Sequence, residues 1–452
     1  MVELERRGIP TVTLTAAGFV RDGRRSAETF GLPQLPIAIA PSPFTNQAPE
    51  SIRSMVDRAA DQIISGLTQQ LPATGVERKG VAGVEDEWLS FEGDDALDAL
   101  DAMNRRFLEC GWSDGFPLQP ATERQVERML AGTSRAAENV VATLEPGFGI
   151  ATVKKIAANA LMAGCRPEHL PIVIAAVECL AEPKIYLRNK AMSTGPHAPL
   201  VLVNGPIRAR LGINSGRCAL GPGAPSYANS VIGRAVHLCL MNGGHVYPDI
   251  SDMDTIGSPT KYSLCVGENE EASPWVPYHV ERGFVADAST VTVHFVYGLC
   301  ELYDFQNRDP ERLVEGFATA AMNLAQVPTG KWLLGRRTDP RTGASEKEHH
   351  LMLICPEHAQ IFAGSGWGKD QVREAMHRQS RLPFRLLMLN KEPKAMLASH
   401  PELTWLWDSP EALLPVLEDA SCYDIAVVGG PAGRGAFFYG AGEPVTKPIV
   451  DR

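Results

Sequence analysis

Residues 1–43 read MVELERRGIPTVTLTAAGFVRDGRRSAETFGLPQLPIAIAPSP, and their pattern decides the fold class that we expect. The charged residues 2–7 predict a short helix, and the β-branched run 9–15 predicts a buried strand. A second helix is predicted over 19–30 and a second strand over 35–40. Helices and strands that alternate through tight connections indicate a parallel α/β arrangement.

These two strands are too few for a complete parallel sheet. Such a sheet is normally covered on both faces, and a lone pair of parallel strands cannot bury its apolar side chains. We therefore interpret residues 1–70 as an incomplete parallel α/β half-domain whose remaining strands come from elsewhere. The amphipathic run from Ile52 to Leu67 predicts a surface helix that packs on this half-domain.

The same segment resembles known redox proteins. Residues 1–12 (MVELERRGIPTV) and 31–43 (GLPQLPIAIAPSP) resemble the C-terminal end of the B-type selenoproteins of glycine, sarcosine and betaine reductases and of D-proline reductase. They resemble the UGSC-motif (seleno)protein family more closely. In those families a redox motif containing selenocysteine or cysteine lies just upstream of the first helix. The resemblance implies an oxidoreductase whose selenolate attacks a carbon bearing an amine, followed by reductive cleavage of the C–N bond.

The redox motif implied by this resemblance is not in the chain, because Met1 follows the place where the motif is expected. A helix N-terminus lowers the pKa of a thiol placed beside it, which explains that location. Three explanations stay open at this point. The reading frame is truncated at an in-frame UGA codon, or the protein is a genuine split subunit, or the domain has decayed.

Composition places the chain among globular proteins of two or three domains, with 452 residues, 44% hydrophobic and 21% charged. A net charge of −10 argues against a nucleic-acid partner. We find no apolar run long enough for a membrane helix, and Glu3 and Glu5 argue against a signal peptide. Nine cysteines without CxxC spacing are typical of reduced thiols in a cytoplasmic protein. The unmatched half-domain predicts an oligomer.

The rest of the chain divides by composition into three parts. Residues 71–95 are rich in glycine and charge without periodicity, and we interpret them as a linker. Residues 96–330 alternate helical and strand patterns, which predicts a central α/β domain. Residues 331–452 are predicted to form a C-terminal α/β unit, so the overall expectation is an α/β protein with larger mixed domains after the half-domain.

Three loop-rich segments, 111–117, 204–224 and 243–275, are predicted to cover a pocket in the central domain. Long glycine-rich loops cost backbone entropy that a purely structural domain has little reason to bear. Lys155 and Arg234 would suit a small anionic substrate. The predicted substrate-binding residues are Lys155, Asn204, Asn214, Arg234, Lys261, Glu268 and His279. For each residue singly, a scattered surface position stays open as the alternative.

Four residues are candidates for catalysis. Asp114 lies beside an aromatic residue in the first of these loops. Cys165 follows a predicted helix, where the helix dipole raises a thiol pKa, and core packing is its alternative role. Cys355 ends a predicted strand, and His358 follows three residues later. A nucleophilic cysteine needs contact with such a histidine, which a sequence cannot show.

Other patterns assign neither a metal nor a cofactor. The glycine-rich run 429–435 follows a strand but lacks the GxGxxG spacing, so we predict a tight surface turn. The three aspartates within 249–254 do not have the spacing of a calcium loop, which favours a solvated acidic turn. The histidines at 349–350 are predicted to lie at the surface because neighbouring strand residues point to opposite faces.

Three functions follow from these features. The first is a component of a thiol- or selenol-dependent oxidoreductase that holds a small anionic substrate, lacks its own redox residue and works with a partner chain containing cysteine or selenocysteine. The second is a self-contained cysteine-dependent lyase or hydrolase. The third is a non-catalytic binding subunit of a reductase complex.

Overall fold

A computed structural model describes residues 2–17, 20, 23–24, 27, 32–40, 48–69, 89–323, 332–333, 347–387 and 401–450. The helix predicted over 19–30 and the linker predicted over 71–95 lie mostly outside these residues. Within them the chain contains both helices and strands and has the predicted α/β fold.

The strands of the described part are β1 (Thr13–Ala16), β2 (Ile37–Ala40), β3 (Val140–Leu144), β4 (Gly149–Thr152), β5 (Ala198–Asn204), β6 (Cys265–Gly267), β7 (Thr290–Tyr303), β8 (His350–Ile354), β9 (Arg381–Pro383), β10 (Leu413–Pro415), β11 (Tyr423–Val427), β12 (Arg434–Gly440) and β13 (Val445–Pro448). The α-helices are α1 (Val2–Arg6), α2 (Pro49–Thr68), α3 (Ala96–Glu109), α4 (Glu123–Leu130), α5 (Val153–Met162), α6 (Leu170–Leu180), α7 (Leu187–Ala191), α8 (Ile207–Arg210), α9 (Tyr227–Gly244), α10 (Tyr278–Glu281), α11 (Pro310–Ala321), α12 (Pro356–Gly364), α13 (Lys369–Gln379) and α14 (Phe384–Leu387).

The N-terminal segment contains a parallel pair of strands. Thr13 of β1 lies opposite Ile37 of β2, and α2 packs against β2. Ala38 and Ala40 are buried, whereas Ile39 between them is 39% exposed. Among the residues that the structure describes, no strand pairs with the other edge of β1. The parallel α/β alternation predicted from the sequence is confirmed, and the sheet has only two described strands.

A mixed seven-stranded sheet forms the centre of the remaining structure. Its strand order is β11-β8-β12-β7-β5-β6, with β13 paired to β7. The pairs β8–β11 and β5–β6 are parallel, and the other pairs are antiparallel. Strands from both sides of position 331 therefore lie in one sheet.

Side chains alternate between the two faces of this sheet, as the period of a strand requires. On one face, Val201 and Val293 pack with helices α5, α6 and α9, and Ile354 and Ile425 pack with α11, α12 and α13. The opposite face contributes residues such as Leu202 to a separate buried core.

One sequence-based expectation about local structure was wrong, and one helix-like pattern does not form a helix. Residues 410–420 have apolar residues at helical spacing, but they form turns and β10, which pairs with β9. Pro410 and Pro415 lie in this run, and a proline inside a helix removes a hydrogen bond. The histidines at 349–350 are buried rather than exposed, because the neighbouring strand β11 and helix α13 cover this end of β8. Within the described residues, no helix meets the length and hydropathy needed to cross a membrane.

Candidate functional site

Cys355 lies at the junction between β8 and α12. It is the N-cap residue of α12 and has extended backbone geometry, so the helix begins directly after it. Its backbone nitrogen donates to the carbonyl oxygen of Arg434 at 3.3 Å, which fixes the strand end against β12. Cys355 is 3% exposed. Its thiol is thus placed at the N-terminal end of a helix, where the dipole favours negative charge.

His358 occupies the first turn of the same helix, three residues after Cys355. Its Nε2 lies 2.8 Å from the carbonyl oxygen of Asp304, an acceptor only, so Nε2 carries a proton. Its Nδ1 is buried and has no hydrogen-bond partner in the described part of the chain. In the neutral ring this nitrogen is an acceptor, and it accepts no hydrogen bond from the Cys355 thiol in this structure, so proton transfer between the two side chains requires them to approach more closely.

The pair Cys355–His358 shifts the proton affinity of both side chains. Burial on its own raises the pKa of the Cys355 thiol, but the side chain and backbone of His358 outweigh it, and the pKa lies below its usual value. Burial on its own lowers the pKa of His358. The Cys355 thiol and the Asp304 carbonyl outweigh this effect, so the pKa of His358 is raised. Both shifts favour a thiolate next to an imidazolium.

Other buried cysteines show the opposite behaviour. Burial raises the pKa of the Cys179 and Cys239 thiols to about 12 each. Burial also raises the pKa of Cys165 far above its usual value, and the Cys165 Sγ donates to the carbonyl oxygen of Val231 at 3.3 Å. Cys165 therefore packs in the core as a neutral thiol, which was the alternative considered for it.

A cavity of about 720 Å³ lies beside the Cys355–His358 pair. Its wall includes His358, Phe305 and Arg308, and Arg308 brings a positive charge to it. The glycine-rich turn also borders the cavity. There the backbone amides of Ala432 and Gly433 donate to the Glu357 carboxylate at 2.8 and 2.6 Å. The cavity wall thus contains the imidazole of His358 and the guanidinium of Arg308, and Cys355 precedes the lining residue Pro356 without lining the cavity itself.

The N-terminal segment, with its parallel strands β1 and β2 and helix α2, is similar to a known family. Residues 1–69 match the UGSC family. We refer to residues 1–69 as the UGSC segment; it comprises 69 of the 452 residues and does not include Cys355 or His358. Searches of curated proteins and of solved structures found no match.

Two of the predicted site residues outside the UGSC segment bind each other. Arg234 donates Nε and Nη2 to the two carboxylate oxygens of Asp114 at 2.7 and 2.8 Å. The same guanidinium donates to the carbonyl oxygens of Phe116 and Pro117, both at 3.1 Å. Arg234 is thus engaged by the 111–117 loop and holds it against α9.

Lys261 also pairs within the chain. Its ammonium lies 2.8 Å from Asp252 and 2.7 Å from Asp254, inside the loop that was considered for a cation. An ammonium therefore occupies the position of a metal ion between these carboxylates. In the described residues, no group of three or more histidine, cysteine or acidic side chains is arranged to hold a metal.

Asn204 and Glu268 meet in the interior. The Asn204 amide donates to Glu268 at 2.5 Å and to Glu270 at 3.0 Å, and both Asn204 and Glu268 are fully buried. Burial raises the pKa of the Glu268 carboxyl, with the ammonium of Lys369 3.8 Å away as a partial offset. These buried polar groups connect the end of β5 to the end of β6 and to α13.

The other predicted substrate-binding residues lie apart from this contact. Lys155 is exposed and donates to the carbonyl oxygen of Ile150 at 3.2 Å. Asn214 donates to Ser226 at 2.9 Å within its own loop, and His279 is fully buried. The structure therefore distributes the predicted set over several local contacts, and their role in substrate binding stays a prediction.

Sequence reasoning missed a second polar cluster. His349 Nδ1 lies 3.0 Å from the Asp424 carboxylate, and Arg282 donates to the other oxygen of Asp424 at 2.8 Å. These residues border a cavity of about 530 Å³. The sequence did contain one indication of this cluster, because Asp424 is a charged residue at the start of an otherwise apolar strand. Its partners lie 75 and 142 residues away, so the sequence could not identify them.

Proposed function

We propose that the protein is a cysteine-dependent enzyme in which Cys355 is the nucleophile and His358 is the acid–base group. The observation that carries this proposal is the position of Cys355 as the N-cap of α12, one helical turn before His358, and the pKa of its thiol lies below the usual value whereas those of the other buried thiols are raised. A thiolate is the nucleophilic form of cysteine, and a helix N-terminus and a nearby histidine both favour it.

The chemistry follows from the two groups. The Cys355 sulfur forms a bond to an electrophilic atom of the substrate while the bond to the leaving group breaks. The leaving group takes the bonding electron pair, and the proton on the His358 imidazolium passes to it. Arg308 in the cavity wall can pair with a carboxylate or phosphate of a small substrate, and Asp304 and Glu357 in the same wall can accept from its polar groups.

A second candidate function is a component of a thiol- or selenol-dependent oxidoreductase. It is supported by the match of the UGSC segment and by the edge of β1 that has no paired strand among the described residues. In this function, a partner chain containing cysteine or selenocysteine supplies the reducing group, and the present chain holds the substrate.

Residue-resolved alkylation tests the first function. The full chain is treated with iodoacetamide near neutral pH, and modification of each cysteine is followed by mass spectrometry. We expect Cys355 to react faster than the similarly buried Cys165, and His358→Gln to slow Cys355 selectively. If Cys355 is no more reactive than Cys165 and does not respond to His358→Gln, the proposal is wrong.

Translation of the DNA upstream of codon 1 tests the second function. An in-frame UGA or cysteine codon followed by codons for Gly-Ser-Cys supports a link to the redox motif that the resemblance implies. Unrelated upstream sequence, together with failure of the full chain to bind any protein encoded beside it, contradicts that function without affecting the role of Cys355.

A further inference from the structure

The glycine-rich turn that ends at Gly433 contacts the backbone that orients His358. The Gly433 carbonyl oxygen accepts from the Asp304 amide at 2.8 Å, and the Asp304 carbonyl oxygen in turn lies 2.8 Å from His358 Nε2. The next residue, Arg434, accepts from the Cys355 amide at 3.3 Å. The position of this turn therefore determines where the acceptor of the imidazole lies.

The backbone of the turn has a conformation that needs support from its surroundings. Ala432 has a φ of +101°, which a residue with a side chain rarely adopts. Gly433 has a φ of +27°, and a Cβ atom at this position would lie only 2.2 Å from the Asp304 carbonyl oxygen. Such unusual backbone conformations persist only where surrounding contacts hold them.

Glu357 supplies a contact of this kind. Its Oε2 accepts from the Ala432 amide at 2.8 Å and from the Gly433 amide at 2.6 Å. Two successive backbone amides that point at one anion form a nest. These amides, that of Gly433 most strongly, lower the pKa of the Glu357 carboxyl, so it is ionised near neutral pH. The Glu357 residue itself is exposed, so its contribution comes from this contact rather than from core packing.

Glu357 and His358 are neighbours in the first turn of α12. A path of contacts leaves the helix at the Glu357 carboxylate, passes through Gly433 and Asp304, and returns to the helix at His358 Nε2. Because this path begins and ends in one helical turn, the carboxylate fixes the imidazole acceptor relative to the helix that carries the imidazole.

We propose that Glu357 is a positioning residue for His358: by holding the turn at residues 432–433, it keeps the acceptor of the imidazole Nε2 in place. That acceptor, the Asp304 carbonyl oxygen, retains a proton on Nε2, so Nδ1 is the nitrogen that exchanges a proton. The inference rests on the proposed function, in which His358 is the acid–base group for Cys355.

Two substitutions of Glu357 separate its hydrogen bonds from its charge. Glu357→Gln keeps a side-chain oxygen that can accept from both amides, whereas Glu357→Ala removes the acceptor. Both substitutions remove the same negative charge. Asp304 and Arg308, the other charged groups of the cavity wall, are unchanged in both variants. A difference between the two variants therefore reports the loss of the hydrogen bonds.

Nuclear magnetic resonance of the full chain with ¹⁵N-labelled histidine measures the titration midpoint of His358, whose signal is assigned by its loss in His358→Gln. A carbonyl acceptor favours the protonated ring, so the midpoint in Glu357→Ala should be lower than in Glu357→Gln by about 0.5–1 pH unit. Gly433→Ala should lower the midpoint in the same way, because its methyl group displaces the Asp304 carbonyl. If Gly433→Ala does not fold, the two Glu357 variants decide the question.

Alkylation of Cys355 by iodoacetamide at about pH 7 links this contact to the thiol. We expect the rate in Glu357→Ala to be about threefold to tenfold lower than in Glu357→Gln, because a weaker imidazolium stabilises less thiolate. A lower His358 midpoint with an unchanged Cys355 rate would support the positioning role and contradict the proposed function. Equal His358 midpoints in the two Glu357 variants would overturn the positioning role, whatever the reactivity of Cys355.

Discussion

Arg234 holds Asp114 through two parallel hydrogen bonds, of 2.7 and 2.8 Å, across 120 residues of sequence. The Asp114 side chain is 1% exposed, so solvent screens the pair only weakly. The contact is the main attachment between the 111–117 loop and α9 that we identify. Asp114 was a candidate for catalysis and Arg234 for substrate binding, and the structure shows that each has the other as its partner.

Replacing Arg234 by Met should therefore destabilise the protein. The substitution leaves the buried Asp114 carboxylate without its counter-ion, which typically costs about 3–5 kcal/mol. Urea denaturation of the full chain measures the change in the free energy of unfolding. The double variant Asp114→Asn/Arg234→Met should recover part of the loss, and a loss below about 1 kcal/mol in the single variant would show that the pair contributes little.

Lys261 should stabilise the acidic loop at residues 249–254. The Lys261→Met substitution leaves Asp252 and Asp254 facing each other without the ammonium between them. We expect a loss of about 1.5–3 kcal/mol in the free energy of unfolding, because charged hydrogen bonds at largely buried positions are lost. Lys155→Met, at an exposed position, is the matched control and should change stability by less than about 0.5 kcal/mol. Equal effects of the two substitutions would contradict this role.

Acid should destabilise the fold through His294. Burial lowers the pKa of His294 to about 3, and its Nε2 lies 3.2 Å from the Tyr278 hydroxyl. The unfolded chain binds a proton at this residue below about pH 6.5, whereas the folded chain stays neutral until about pH 3. Stability therefore falls as the pH decreases through this window, by at most about 1.4 kcal/mol per pH unit from this residue.

The measurement is chemical denaturation at several pH values between about 7 and 4. His294→Gln cannot titrate, so its stability should decrease less steeply with falling pH than that of the wild type. Parallel curves for the two proteins would show that His294 is not the source of the acid sensitivity.

The elements of the fold were largely predictable from local pattern. Thr152 is a residue type that favours helix caps, and its hydroxyl accepts from the Lys155 amide at 3.3 Å. Strands β5 and β7 begin in runs rich in apolar and β-branched residues, which are typical of strands. Local signals of this kind depend on neighbouring residues, and these are all present in the sequence.

The contacts between distant elements were not predictable in the same way. The sequence analysis did not predict the hairpin of β3 and β4 or the contact between Asp424 and His349. Neither an alternation of apolar and polar residues nor a helix-capping residue marks these features. Cys355 and His358 could be proposed as a pair from the sequence because they lie only three residues apart, at the end of a predicted strand. For Arg234, a charge pattern alone could not distinguish a substrate contact from a pair with Asp114.

The seven-stranded sheet should fold without the UGSC segment. All its strands come from residues 198–448, so a chain that begins at residue 89 retains the whole sheet. We expect this shorter chain to show a cooperative unfolding transition and the same Cys355 reactivity as the full chain. Loss of the cooperative transition would show instead that the UGSC segment stabilises the sheet.

The ionisation of Cys355 tests the central claim most directly. The thiolate absorbs in the ultraviolet, so the difference between wild type and Cys355→Ser, recorded against pH, titrates this one residue. We predict a midpoint below the usual thiol value of about 8.5, moved upward by His358→Gln. A midpoint at or above about 9, unchanged by His358→Gln, would contradict the assignment of Cys355 as the nucleophile.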